Sequence, residues 1–231
     1  MSERARTYRS SDDRRDQLLD LGVRLFASRS YEEVAIDDIA REAGVSKGLL
    51  YHYFGSKRTF YTEVVRRTAA ELLLAVDPDP AASATENIRR GLTHYFKFVS
   101  DRADAYLALM HGGLGVDDII HGILEDIRNQ VVSTILTQIQ GEEEPLARVA
   151  ARAWIGNVEA AALDWLKHRD VELDALIEML SVALYTQLAV AARRSRHGRL
   201  RLDIADGWNL LKGLIRFQDL RMPGRFRNPA S

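Results

Sequence analysis

The sequence predicts an all-α protein, on three observations. Apolar residues recur at three- and four-residue spacing along most of the chain, whereas the strict apolar–polar alternation of a half-buried strand is hard to find. The five prolines, at 78, 80, 145, 223 and 229, leave long stretches without a breaker. Between the apolar stripes lie Ser, Asp, Gly and Pro, the residues that start and stop helices.

The first stripe is Leu18, Leu21, Gly22, Leu25 and Phe26. Ser11 is placed to cap this helix, with Asp12 and Asp13 in a first turn where the helix dipole favours negative charge. Ile36, Ile39 and Ala40 form the inner face of a short second helix ending at Ala43, and Ser46 caps a third. Phe60, Val64, Thr68 and Leu72 mark a fourth helix, from Lys57 to about Val76, and "VDPDP" at 76–80 ends it. Ile88, Leu92, Tyr95, Phe96 and Val99 form the next stripe. Another runs through Ile120, Ile123, Leu124, Ile127, Val131 and Ile135 and stops at Gly141. Ala151, Trp154, Ile155, Val158, Ala162 and Trp165 follow. Asp170 then stands as a cap before Leu173, Leu176, Ile177, Leu180, Leu184 and Leu188. In the tail, Trp208, Leu211, Ile215 and Leu220 suggest a short amphipathic helix packed on the protein's own body or across a dimer.

Composition narrows the function. Hydrophobic residues make up 46% and charged residues 28%, ordinary for a globular protein with a real core. The net charge of −1 excludes a polycation, so any nucleic-acid surface must come from local charge. Local excess exists: Arg4, Arg6, Arg9, Arg14 and Arg15 form a basic N-terminal arm, and Arg193, Arg194, Arg196, Arg199 and Arg201 lie in a run without acids. The absence of cysteine excludes disulfides and thiolate metal sites. "MSERARTYRSSDDRRDQ" has no apolar core, so no secretory signal is expected, and no apolar run approaches the ~20 residues of a membrane span. A cytoplasmic protein is the expectation.

The segment "AIDDIAREAGVSKGLLYHYFGSK" carries the functional information. Ala40 is small enough for two helices to cross closely. Gly44 tolerates the positive φ that a sharp turn needs, and Leu50 packs the second helix on the first, with Val45 and Phe54 completing a miniature core. That packing leaves Ser46, Lys47, Gly48, Leu49, Tyr51, His52, Tyr53 and Lys57 along one edge. Lys47 and Tyr51, four apart, share a face. Gly48 allows close approach, Leu49 either meets a thymine methyl or simply fills space, and the hydroxyls, ring nitrogen and ammonium groups suit phosphate oxygens. Lys57 also opens a helix whose N-terminus favours an anion.

The pattern resembles the N-terminal domain of the TetR family of bacterial one-component transcription regulators. The resemblance rests on Leu25-Phe26, Tyr31, Asp38-Ile39-Ala40, Ala43-Gly44-Val45-Ser46-Lys47-Gly48, Leu50-Tyr51, Tyr53-Phe54 and Lys57, and covers roughly the first quarter of the chain. Two positions depart from it. Ser30 stands where glycine is usual, and Val34 where Thr or Ser usually caps, so the helix starting near Ile36 is expected to lack a side-chain cap.

The resemblance implies a homodimer on a near-palindromic DNA operator, with recognition helices in successive major grooves about 34 Å apart. It implies a second helical domain that takes a small-molecule effector and dimerises through two helices, matched here by Ala147–His168 and Val171–Arg196. The expected division is 1–58 for the helix-turn-helix domain with its arm, 59–197 for the regulatory and dimerisation domain, and 198–231 for a C-terminal extension. Candidate effector-binding residues are Tyr95, Phe98, Tyr106, Met110, His111, Trp154, Asn157 and Trp165, with Glu159 and His168 nearby, although residues at such spacing more often build core. Asn157 and Glu159 stand out as polar groups in an apolar helix that need partners. The glycine-rich run from Met110 to Gly115 reads as a helix break or hinge at the pocket mouth.

No metal, cofactor or catalytic constellation is expected. His94, His111 and His121 lack i, i+4 spacing, one such pair (Asp164 and His168) is weak, and neither a Glu-x-x-His motif nor a nucleophile elbow occurs. The leading expectation is a ligand-released repressor, not an enzyme. The alternatives are a constitutive DNA-binding protein, a helical enzyme fused to a helix-turn-helix and an all-α interaction module without DNA.

Overall fold

A computed structural model describes residues 2–110, 118–139 and 144–194. The expected extension 198–231, and with it the tail helix, lies outside the described residues, as do His111 and the glycines after it. Among the described residues the fold is nine helices and no strand: α1 (Ser2–Ser28), α2 (Ile36–Glu42), α3 (Lys47–Phe54), α4 (Lys57–Ala75), α5 (Ala84–Asp101), α6 (Ala103–Met110), α7 (Asp118–Gln138), α8 (Pro145–His168) and α9 (Leu173–Arg194).

Two boundaries correct the sequence reading and a third bears it out. Ser11 does not cap α1, because the helix runs from Ser2 and makes the basic arm its own first turns. Asp170 does not cap α9. The chain leaves α8 through Arg169 in the left-handed region (φ 54°), and α9 begins at Leu173, with Leu176 N–H donating to the Glu172 carbonyl at 3.1 Å. The N-cap of α2 is Ala35, which makes no side-chain cap, as expected from the missing Ser or Thr. Instead Asp38 reaches back to accept from Ala35 N–H at 3.4 Å, while Val34 is fully buried.

The first core holds Leu18, Leu19, Leu25 and Phe26 of α1 against Val34, Ile39, Leu50, Phe54, Phe60 and Val64. Here α1 and α4 cross at Gly22. A methyl group at that position would lie 2.5 Å from Val64 Cγ2 and 2.7 Å from Phe60 Cζ, so only glycine fits. Ion pairs flank the crossing, Arg15–Glu63 at 2.9 Å, Arg67–Asp16 at 3.0 Å and Arg67–Asp20 at 2.7 Å.

The second core joins Leu92, Phe96 and Val99 of α5 to Val132 and Leu136 of α7 and to the inner faces of α8 and α9. Trp154 donates its indole N–H to the Leu180 carbonyl at 2.8 Å, so this large buried ring carries no unmade hydrogen bond. Contrary to the sequence expectation, α9 is long and apolar enough to span a membrane. Leu176, Ile177, Leu180, Leu184 and Leu188 instead bury one side of it in this core. The outer faces of α8 and α9 expose Leu146, Val149, Met179 and Val190. Ala153, Gly156, Asn157 and Ala160 continue the α8 stripe.

Candidate nucleic-acid interface and apolar cavity

The turn between α2 and α3 follows from backbone chemistry. Gly44 adopts φ 63°, which lets Val45 N–H donate to the Ala40 carbonyl at 3.0 Å. The Ser46 hydroxyl then caps α3 by accepting from Leu49 N–H at 3.2 Å. Leu50 and Phe54 point inward with Ile39, and Gly55, at φ 70°, ends α3. Helical periodicity therefore turns Lys47, Gly48, Tyr51 and His52 outward, with Tyr51 43% exposed. Leu49 and Tyr53 are half-buried, and Tyr53 packs on the core. Nothing but Ser46 Oγ, at 3.9 Å, would meet a methyl at Gly48, so its surface is open.

The edge is not uniformly basic. Lys47 Nζ lies 2.8 Å from Asp37 Oδ1, an exposed pair, and this hydrogen bond raises the lysine pKa above its ordinary value. Lys57 begins α4 beside the Ser56 cap, where Ser56 Oγ accepts from Thr59 N–H at 3.0 Å, and its ammonium sits 4.2 Å from the Tyr31 ring centre. Asp37 and Tyr31 were not singled out in the sequence as neighbours of the edge. The one is at the start of α2 and the other before it, and only the turn brings them beside these lysines.

An apolar cavity of about 280 Å³ lies between α4, α5, α6, α7 and α8, with Val23, Phe26 and Ala27 of α1 at one end. Of the candidates, Tyr95, Phe98, Tyr106, Met110, Trp154 and Glu159 line it. Asn157 and Trp165 do not. Asn157 is exposed on the outer face of α8, because a helix turns residues 157 and 159 about 200° apart. Trp165 is spent elsewhere: its N–H donates to the Val171 carbonyl at 2.9 Å, its ring meets Phe96 edge-on, and Arg169 covers it at 4.0 Å. His168 sits exposed against its own helix, near Asp164.

The polar groups of the cavity are few. The Tyr95 and Tyr106 hydroxyls are 2.6 Å apart. Burial raises Tyr95 well above the ordinary tyrosine range and Tyr106 to about 12, so both rings stay neutral near pH 7. Arg128 donates twice to Glu159, at 2.8 and 3.1 Å, and once to Glu125, at 2.6 Å. Burial opposes its charge, but the two carboxylates outweigh burial and hold its pKa up. Glu125, lowered chiefly by Arg128, also accepts from Arg152 of α8. Arg128, Arg102 and the α4 wall (Val65, Leu72, Val76) were missed in the sequence. Arg128 follows directly on the apolar stripe through Ile127, a signal that an arginine there would be drawn inward.

A family model described as bacterial regulatory proteins of the tetR family matches residues 18–64, and one described as a tetracyclin repressor-like C-terminal domain matches 84–187, together more than half of the chain. The transcriptional activator FasR of Mycolicibacterium smegmatis is 26% identical over 174 residues, covering 72% of this chain and 79% of FasR. The repressor KstR2 of the same organism is 45% identical over 53 residues, only 23% of this chain and 26% of KstR2. The crystal structure of a tetR-family regulator from Streptomyces coelicolor superposes with a TM-score of 0.74 at 28% identity, covering 87% of this chain and 89% of that one. FadR of Bacillus subtilis, solved with stearoyl-CoA, shares the fold at 22% identity and a TM-score of 0.58, covering 73% of this chain and 96% of its own. Matched by both family models, with a helix-turn-helix at α2–α3 and a helical second domain, the chain belongs to the TetR family of helix-turn-helix transcription regulators.

Proposed function

We propose that the protein is a ligand-responsive homodimeric repressor, acting in the cytoplasm and released from a near-palindromic operator by a small molecule. The observation that carries this is the dual position of α4. Its first turns are packed into the DNA-binding domain through Phe60 and Val64, and the face running from Tyr61 to the Val76 cap forms one wall of the cavity. A ligand that fills the cavity displaces that wall, and with it the spacing of the two recognition helices. Differential affinity of a few kcal/mol between the two arrangements is enough.

Dimerisation on this reading uses the outer faces of α8 and α9, where the exposed Leu146, Val149, Met179 and Val190 lie. Ser46, Lys47, Gly48, Leu49, Tyr51, His52, Tyr53 and Lys57 form the DNA-contact set, and the boundaries 1–58 and 59–197 separate reading from sensing. The protein is a binding protein without cofactor or catalysis. In FadR this fold holds stearoyl-CoA, an elongated amphiphile, which supports an effector with a long apolar tail.

Selection of bound sequences from random duplex DNA tests the reading. The expected result is an inverted repeat whose half-sites are one helical turn, about 34–36 Å, or a multiple of it apart. Recovery of no preferred sequence, or of an unrepeated site, would overturn it.

A further inference from the structure

We infer that Arg102 is the group that recognises the effector, that the effector is an amphiphile with an anionic head on an apolar tail, and that capture of the head withdraws Arg102 from Glu71 on α4. The inference rests on the ligand-responsive reading above and names the ligand class and the releasing contact.

The cavity has two lining arginines among the described residues, Arg102 and Arg128. Their hydrogen-bonding states differ. Arg128 is paired on both sides: Nε and Nη2 donate to Glu159 and Nη1 to Glu125, three of its five N–H groups. A guanidinium held this way is a structural strut with little left to offer a ligand. Arg102 is the opposite case. It closes α5, its guanidinium lies 4.3 Å from the Phe98 ring centre, and its Nε is buried with no hydrogen-bond partner. A buried, unpaired N–H on a charged group is costly, and such groups in native structures call for a ligand or a switch. Its carboxylate partner is distant: Nη2 lies 3.5 Å from Glu71 Oε2, well beyond the 2.7–2.9 Å of a strong charge-assisted bond.

The same cavity holds a second polar group, the tyrosine pair. Tyr106 lies four residues after Arg102, and the backbone ties the two, Tyr106 N–H donating to the Arg102 carbonyl at 2.9 Å. In the Tyr95–Tyr106 pair one hydroxyl proton is spent between the rings and the other is free to donate. An anionic oxygen beside Arg102 therefore meets the unpaired Nε edge of the guanidinium, and the tyrosine pair offers a neutral hydroxyl elsewhere on the same cavity wall. The rest of the wall is apolar, from Leu92 and Ile88 across to Ile127 and Trp154, and suits a hydrocarbon tail.

The switch follows from competition. Glu71 is on the half of α4 that walls the cavity, and its side chain is 44% exposed. A better-aligned carboxylate or phosphate on Arg102 breaks this link between α4 and the α5–α6 junction. Free acids and acyl thioesters of coenzyme A share the anionic head and differ in where the charge sits.

The test uses the full-length protein and three probes with one tail: palmitate, palmitoyl-CoA and the neutral hexadecanol. Binding is read by the fluorescence of Trp154 in the cavity wall and by competition with a fluorescent fatty acid. The wild type is expected to prefer one anionic probe over hexadecanol by on the order of tenfold or more, and whichever is preferred names the source of the charge. Arg102→Gln should abolish that preference while leaving hexadecanol affinity unchanged, and Arg102→Lys should restore part of it. Circular dichroism and Tm of each variant report folding independently of ligand. Glu71→Gln should tighten the anionic probe severalfold and weaken operator binding without ligand. Equal binding of acid and alcohol by the wild type, failure of both anionic probes to bind, or an Arg102→Gln variant that keeps the preference would each overturn the inference. Anion binding through Arg102 without loss of operator binding would refute the proposed release mechanism and leave the head-group assignment standing.

Discussion

The two halves of α4 are built to different rules. In the first half, Phe60 and Val64 are buried to within 2% of complete, and the facing position on α1 has no room for a methyl group. In the second half, Thr68, Leu72 and Val76 face a cavity, Leu74 is 78% exposed, Ala69 packs in a small cluster with Ile120 and Ile123 of α7, and the helix end is held by polar ties. Those ties come from α5: His94 Nδ1 pairs with the Ala75 carbonyl, Arg90 donates to the Asp77 carbonyl at 2.8 Å, and Arg102 reaches Glu71. Packed apolar contacts resist sliding because every displacement opens a void. Polar ties at a solvent-exposed edge are individually weak and exchange with water. One half is therefore fixed to the N-terminal domain, and the other borders the cavity with a smaller packed contact.

The sharpest break of this contrast is a pair of truncations. Phe60→Ala should cost about 3–5 kcal/mol, since it empties a filled site. Leu72→Ala should cost only about 1 kcal/mol, because that side chain already borders empty space and loses fewer contacts. Urea denaturation of both variants measures this, and equal losses would remove the distinction between the halves. Next in size is Gly22→Ala. The overpacking at the α1–α4 crossing should cost roughly 1–3 kcal/mol. Gly122→Ala on α7, where a methyl meets nothing within 4 Å, should instead stabilise by up to about 1 kcal/mol through helix propensity. Smaller still is an effect on DNA. Asp37→Asn frees Lys47 and removes a negative charge from the edge, so affinity for any duplex should rise severalfold at low salt and converge with the parent at high salt.

The smallest effect is a titration. Tyr61 and Tyr106 are raised to about 12 by burial, against an ordinary value of 10.0. The unfolded chain loses these protons first, so their contribution to stability is complete below pH 10 and disappears as pH rises towards 12. Tyrosinate absorbance should show a late-titrating fraction that shifts to the ordinary range on unfolding.

The helix-turn-helix and the outward edge of α3 were legible in the sequence because they are local. Gly44, Ser46, Leu50 and Phe54 do their work within a few residues of one another, and turn and cap chemistry assigns each of them. The missing cap before Ile36 was legible for the same reason, although the compensating bond from Asp38 was not. Where helices begin was less legible. Ser11 has the chemistry of a cap, but a cap needs the chain before it to leave the helix, and the arm continues it. The cavity was legible only in part. Periodicity places Trp154 and Trp165 on one face of α8, three turns apart, but depth along the bundle decides which of them meets empty space. Glu159 and Asn157 both looked like polar groups needing partners; the partner of Glu159 is Arg128 on α7, a contact 31 positions distant that no local rule supplies.

The central claim is that the outward edge of α3 grips the DNA backbone and bases. Operator affinity measured against salt concentration tests it most directly, for the parent, Lys47→Ala and Tyr51→Ala. Each variant is expected to bind more weakly, Lys47→Ala with a salt slope reduced by about one, as one phosphate contact is lost. Parental affinity and slope in both variants would contradict the claim.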